Sequence, residues 1–344
     1  MRCKRAQVSE QFNWLFAIVA GSIILIFFLF VIGQLKATSD IKLSTKVLQN
    51  FDAILAGSSV APNSLNIIDS SKLLAFDISC DSDGYSDLRI LKSRAKSLDL
   101  SQKFIYSPFV AEGSRLYLYV VPITNPFNIG NALLLTGDNV IFVEYLTQNS
   151  DLQLDEFFKL LPDNISKMRS VAFDKNLKSF DKIVIISKED PVDFDNREAI
   201  NGVKNLLKKD VTWIKVKFAD KDVQHASVYT KSEKARKFSD AVELNVPSND
   251  FALFLTFSKN PEFYKCNLRK INIKVKTISR IFLKKVQLLS SNVDSNDCKL
   301  DYAEAEDILN KIISSRDIFG ISDQIEYLKE INHNLLLKSC PLIY

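Results

Sequence analysis

Hydrophobic and polar positions alternate along this chain in several distinct rhythms. The first is no alternation at all: Phe12 to Leu35 carries no charged residue, and its polar members Asn13, Ser22 and Gln34 sit mostly near the ends. A helix of 24 residues reaches about 36 Å, enough to cross a bilayer core with some tilt. From Lys36 to Ala56 the apolar residues Ile41, Leu43, Val47, Leu48, Phe51, Ile54 and Leu55 follow helical spacing. The spacing predicts that the span continues as an amphipathic stalk, ended by Pro62 and the serines around it.

Beyond the stalk the period shortens. Leu73–Ile78, Lys103–Tyr106, Arg115–Val121, Ala132–Leu135 and Val140–Tyr145 are short, β-branched or aromatic runs parted by turn residues, with Gly137-Asp-Asn139 as a hairpin signal. They predict a small β-rich domain over 61–150. Residues 151–168 read as a helix with Leu154, Phe157, Phe158 and Leu161 on one face. A strand at Lys182–Ser187, a helix at Asn196–Lys208 and a strand at Val211–Phe218 form a βαβ unit, with Phe251–Phe257 as a further strand. These give an α/β subdomain over 151–258.

The last 86 positions, 259–344, return to the helical period. Leu268, Ile271, Val275, Ile278, Phe282, Val286 and Leu289 make one apolar stripe over Pro261–Ser290. Leu300, Ala303, Ile308, Leu309 and Ile312 make a second over Lys299–Ile313. Ile318, Ile321, Ile325, Leu328, Ile331 and Leu335 make a third over Asp317–Leu336. The expected fold is α+β: a basic tail (1–11), a transmembrane helix (12–35), a stalk (36–60), the two domains above and a C-terminal three-helix bundle.

Composition narrows the function. Hydrophobic content of 47% predicts a folded tail, and a net charge of +4 gives no reason to expect a nucleic-acid partner. Nine glycines and two histidines leave little material for phosphate loops or histidine–metal chemistry. No G-x-S-x-G, P-loop, H-E-x-x-H or C-x-x-C occurs. No cofactor is expected, and a non-catalytic surface or assembly component is favoured over an enzyme. The expected partners are the membrane and other surface proteins.

Arg2, Lys4 and Arg5 precede the span and Lys36, Lys42 and Lys46 follow it. The denser basic cluster lies before the span, and large domains cross membranes regardless of charge, so the tail is expected outside. The opening Lys4-Arg-Ala-Gln-Val-Ser-Glu-Gln-Phe12 resembles the class III signal of archaeal type IV pilin-like proteins. It is also similar to the anchors of single-pass archaeal membrane proteins. The pilin-like resemblance implies cleavage between Ala6 and Gln7. It departs from that family in having Ala6 where glycine is usual and Gln11, with Glu10 one place early, where glutamate is usual.

Four local features carry candidate chemistry. Asp81, Asp83 and Asp87 flank Gly84, which reads as a solvated turn or a weak cation site; the glutamate that an EF-hand needs is replaced by Ile90. Glu189, Asp190, Asp193 and Asp195 follow a strand, where an open α/β sheet places ligands, and are the carboxylates an anchored enzyme would use. Lys265, Arg269, Lys270, Lys274, Lys276, Arg280, Lys284 and Lys285 make the first bundle helix basic, against acidic Asp297, Asp301, Glu304, Glu306 and Asp307. Two readings stand for that helix: a face for lipid head groups or surface glycans, or a complementary flank for its neighbour. Asn164-Ile-Ser166 is a glycosylation sequon.

Cys3 precedes the span, which leaves four cysteines for an oxidising side. In an up-down-up bundle Cys298 starts the second helix and Cys340 ends the third, so these two meet. Cys266 starts the first helix, at the opposite end. The expected bridges are Cys298–Cys340 and, by elimination, Cys80–Cys266.

Overall fold

The computed structural model describes the chain except residues 1–4, 82, 92, 94, 125–126, 147–151, 171–176, 178, 192–205, 207, 220, 236 and 317–321. The side chains of residues 5–17, 37, 70–74, 170 and 322–323 also lie outside the description. The fold is mixed α and β.

Helix α1 (Arg5–Ser58) is one uninterrupted rod of 54 residues, about 80 Å long. Among the described residues it is the one helix long and apolar enough to cross a membrane. From Ile23 to Phe30 every side chain is more than half exposed, so nothing in the folded part covers that stretch. The far end is different. Leu48, Phe51 and Leu55 are buried, Phe51 stacks on Phe76 with ring centroids 4.8 Å apart, and Asp52 accepts a 2.6 Å bond from Lys103. The apolar rod is thus continuous with an end plugged into the core.

That core begins with a six-stranded sheet. Strands β1 (Leu65–Cys80), β2 (Ser86–Ile90), β3 (Leu98–Asp99), β4 (Phe104–Tyr106), β5 (Ala111–Ile123) and β6 (Gly130–Gly137) lie in the order β3-β2-β1-β5-β6-β4. All neighbours are antiparallel except β4 and β6. The second sheet holds β7 (Val140–Tyr145), β8 (Lys167–Ser170), β9 (Lys182–Ser187), β10 (Asp210–Ala219), β11 (Asp222–Lys231) and β12 (Val242–Asn245). Its order is β12-β11-β10-β9-β7-β8, parallel from β8 to β10 and antiparallel beyond.

Three expectations are corrected here. The Gly137–Asn139 signal does not close a β6–β7 hairpin: β7 crosses to the second sheet, where it lies between β8 and β9. All six residues of β7 are buried, the burial of an interior strand covered on both faces rather than of a one-sided hairpin arm. The expected boundary at 150 therefore cuts through this sheet, after its first strand. Phe251–Phe257 is not a strand but helix α3 (Asn249–Thr256), with six consecutive residues buried; an apolar run on all sides does not reveal its period. The helix expected over 151–168 is only α2 (Leu152–Lys159), because Pro162 follows it and Met168 belongs to β8. Leu154, Phe157, Phe158 and Leu161 are buried as expected. The helix expected over Asn196–Lys208 lies almost entirely outside the described residues, although its flanking strands β9 and β10 are parallel neighbours.

The chain closes with α4 (Pro261–Asn292), α5 (Asn296–Ser314) and α6 (Ser322–Leu337). Asn260 caps α4 by accepting the Phe263 N–H at 2.8 Å, and Pro261 begins its first turn. Of the expected stripe Leu268, Ile271, Val275 and Val286 are buried, while Ile278, Phe282 and Leu289 are half-buried. The predicted phase of α5 is shifted: Leu300 and Ala303 face solvent while Tyr302 and Ala305 face inward. These helices are no separate bundle. The first turns of α4 pack on β1 and β4, and one hydrophobic core runs from α1 through both sheets to α6.

Candidate functional site

The start of α4 is fixed to the first sheet by two devices. The first is a disulfide between Cys80, the last residue of β1, and Cys266, in the second turn of α4, with Cα atoms 6.1 Å apart. The second is Lys270, one turn further on. It is buried, and its ammonium donates to Ser86 Oγ (2.8 Å), Leu100 O (3.3 Å) and Lys103 O (2.6 Å). Burial lowers its pKa to about 8, with the Asp99 carboxylate pulling weakly the other way. Three acceptors fill the three donors of an ammonium, so Lys270 is a pin.

Beside this pin a groove of about 520 Å³ opens between α4 and two loops. One wall is the turn that carries Asp83, Gly84 and Tyr85. The other includes Gln102 and Phe104, and the floor is α4 at Lys270, Ile273, Lys274 and Thr277. The turn is shaped by Asp81, whose Oδ1 accepts the backbone N–H of Asp83 and of Tyr85, each at 2.9 Å. Gly84 sits at φ +86°, a conformation that disfavours other residues, and an added Cβ would stand 3.4 Å from Lys270 Cγ. Tyr85 is left half exposed. The Lys274 ammonium stands over the Phe104 ring, 5.4 Å from its centroid. Among the described residues, the Asp83 carboxylate and the Gln102 side chain make no hydrogen bond.

The candidates expected from sequence fall as follows. Asp81, Asp83 and Asp87 do not converge: Asp81 shapes the turn, Asp83 faces the groove, and Asp87 accepts from Ser79 and lies near Arg89. Among the described residues, no group of three histidine, cysteine or acidic side chains is placed to hold a metal ion. Glu189 and Asp190 sit just past β9, as expected, whereas Asp193 and Asp195 lie outside the described residues. Asp190 is engaged twice, by Lys215 Nζ at 2.6 Å and by the Tyr229 hydroxyl at 2.7 Å. Those two hydrogen bonds hold its carboxyl below the ordinary range, and burial first, then Asp190, push the Tyr229 phenol up to about 12.

The basic and acidic helices do not pair as complementary flanks. Among the described residues Arg269, Lys274, Lys276, Arg280 and Lys284 of α4 form no ion pair. The acids of α5 find other partners: Asp301 pairs with Lys338, Asp307 with Lys311 and Glu304 with Tyr327, while Glu306 meets α4 only through the uncharged Gln287. Cys298 and Cys340 are bonded, Cα atoms 5.9 Å apart, so both cysteine pairs read from the sequence are the bonded pairs. Asn164 is exposed in a turn. Ala6 and Gln7 lie in the first turns of α1; their side chains are outside the description.

The groove itself was not legible as a site. Its walls come from positions 83–104 and 270–277, and no local motif joins them. The cysteine pairing was the available signal, because it brings the Asp81–Asp87 turn beside the basic helix. Comparisons with family models, with curated proteins and with solved structures find no match to this chain.

Proposed function

We propose that this chain is a single-pass membrane-anchored protein whose folded part stands outside the membrane as a non-catalytic surface or assembly component, in contact with other surface proteins. One observation carries the reading: α1 joins a bare apolar rod to an end buried at Leu48, Phe51 and Leu55, without a break. A cleavable leader or flexible tether has no need of such continuity, whereas an anchor that must hold a domain at a fixed distance does. The two disulfides fit an oxidising compartment. An anchored enzyme working through the carboxylates near Asp190 has less support, since an acid–base group needs a pKa near the working pH and Asp190 is held low.

The test is fractionation and shaving. The protein should stay in the membrane pellet in alkaline carbonate, and protease added to intact cells should digest its folded part. Release into the supernatant, or complete protection that is lost only on lysis, would overturn the reading. Within the same proposal, a peptidase removes residues 1–6, as the pilin-like opening implies. Terminal sequencing should then find Gln7 or its cyclised form, and an intact Met1 in all molecules would refute that step.

A further inference from the structure

The α4 groove and the stripe that leads from it share one chemistry. Arg269, Lys276, Arg280 and Lys284 are 7, 4 and 4 residues apart, so they lie along one face over about 22 Å. Lys274 stands at the groove, about 140° round the helix from Arg269, so the groove lies between it and that face. None of these five cations is neutralised by an ion pair among the described residues. The groove adds a half-exposed aromatic ring at Tyr85 and unengaged hydrogen-bonding groups at Asp83 and Gln102.

We infer that α4 and its groove bind an acidic polysaccharide, with one sugar unit seated in the groove and further anionic units along Arg269, Lys276, Arg280 and Lys284. The ring of the seated sugar lies against Tyr85, Asp83 and Gln102 take its hydroxyls, and Lys274 takes its carboxylate. A concave seat with both donors and acceptors suits a hydroxyl-rich unit, whereas a flat lipid surface would leave Asp83 desolvated and unpaired. The anchor argues the same way. Lys103 bonds Asp52 through its side chain and accepts Lys270 through its carbonyl, so the groove stands near the level of Asp52. Asp52 is 17 residues beyond Leu35, which places the groove about 26 Å past the end of the apolar run. A rigid α1 holds it off the bilayer, within reach of surface polymers.

This deepens the proposed surface role, but its test does not depend on which side of the membrane the tail occupies. The full-length chain, in nanodiscs of neutral phosphatidylcholine, is presented with polygalacturonate, with neutral dextran, and with anionic phosphatidylglycerol vesicles. Polygalacturonate should bind, weaken as salt rises, and outcompete both others. Lys274→Gln should weaken binding about tenfold, the loss of one charge-assisted hydrogen bond. Arg280→Glu with Lys284→Glu should weaken it more, with the melting temperature unchanged because both side chains are exposed. Tyr85→Ala should weaken binding at unchanged salt dependence, a result that a merely electrostatic surface would not give. Equal binding of dextran, tighter binding of the anionic vesicles, or indifference to the Lys274 and Tyr85 variants would overturn the proposal. Digestion of the tail in the shaving experiment alongside absent polygalacturonate binding would remove the site and leave the anchor reading standing.

Discussion

Two polar clusters of this molecule are built from the same residue types and end in opposite states. At Asp190 a carboxylate, an ammonium and a phenol satisfy one another at 2.6 and 2.7 Å. At the α4 groove the buried cation is satisfied by backbone and a serine, while Asp83, Gln102 and Lys274 keep their capacity for something else. Closure of the first cluster follows from the sheet: β10 and β11 are adjacent antiparallel strands, so Lys215 and Tyr229 reach Asp190 from fixed positions. The groove stays open because its floor is a helix, α4, which shares no ladder with the paired strands β2 and β3 that carry the loops of its walls. A cluster of charges at the carboxyl end of a strand is therefore a poor pointer to function, and a gap between stapled elements a better one.

The strongest way to break this comparison is to cut the staple. Cys80 and Cys266 are 186 residues apart, and closing so long a loop contributes about 5 kcal/mol by the chain-entropy estimate. Replacing both by serine should lower the denaturant midpoint and abolish the groove's ligand binding. Replacing Cys298 and Cys340, separated by 42 residues, should cost about 4 kcal/mol and leave the groove intact. Equal loss of binding in both double variants would mean that general stability, not the staple, maintains the groove.

Much of this arrangement is legible in the sequence. The long helices declared themselves because a 3.6-residue period repeated over many turns leaves no competing reading, and of the residues that mark α4, Leu268, Ile271, Val275 and Val286 are buried while Ile278, Phe282 and Leu289 are half-buried. The cysteine pairs followed from that helix order. What failed was local and ambiguous. Phe251–Phe257 is apolar on every side, so neither period shows, and Gly137–Asn139 has hairpin chemistry but is followed by a strand buried on both faces. Leu300 and Ala303 fit a stripe on paper, yet Cys298 must point inward to reach Cys340, and that sets the phase of α5. The groove depended on contacts between residues more than 160 positions apart, which no periodicity reports.

A second, smaller effect concerns the pin. The Lys270 pKa falls from 10.5 to about 8 on folding. Below about pH 8 the ammonium is charged in both states and its burial costs stability in full. Between about 8 and 10.5 the unfolded chain holds more protons than the folded one, so the stability contributed by this group rises with pH. The span corresponds to about 3 kcal/mol. Lys182 and Lys231, also lowered by burial, act in the same direction, and buried Tyr264 acts against them at higher pH. The clean measurement is the difference in unfolding free energy between the wild type and Lys270→Met from pH 7 to 9.5. The wild type should gain on the variant as pH rises; a constant difference would mean that Lys270 does not titrate in this window.

The smallest effect belongs to the closed cluster, and it sharpens the comparison most. Hydrogen bonds from Lys215 and Tyr229 hold the Asp190 carboxyl low, so its contribution is present above the ordinary aspartate pKa and is lost as pH falls through the depressed value. The side chain is 65% exposed, and water and salt screen a pair in that position, so Asp190→Asn should cost under about 1 kcal/mol at neutral pH. The variant should also bring the Tyr229 phenol down from about 12, visible as earlier tyrosinate absorbance in an alkaline titration against a Tyr229→Phe blank. A closed cluster predicts this pair of small results together with unchanged binding at the α4 groove. A loss of several kcal/mol, or a loss of any activity found for the protein, would show that Asp190 holds more than its two neighbours and that the cluster is not closed.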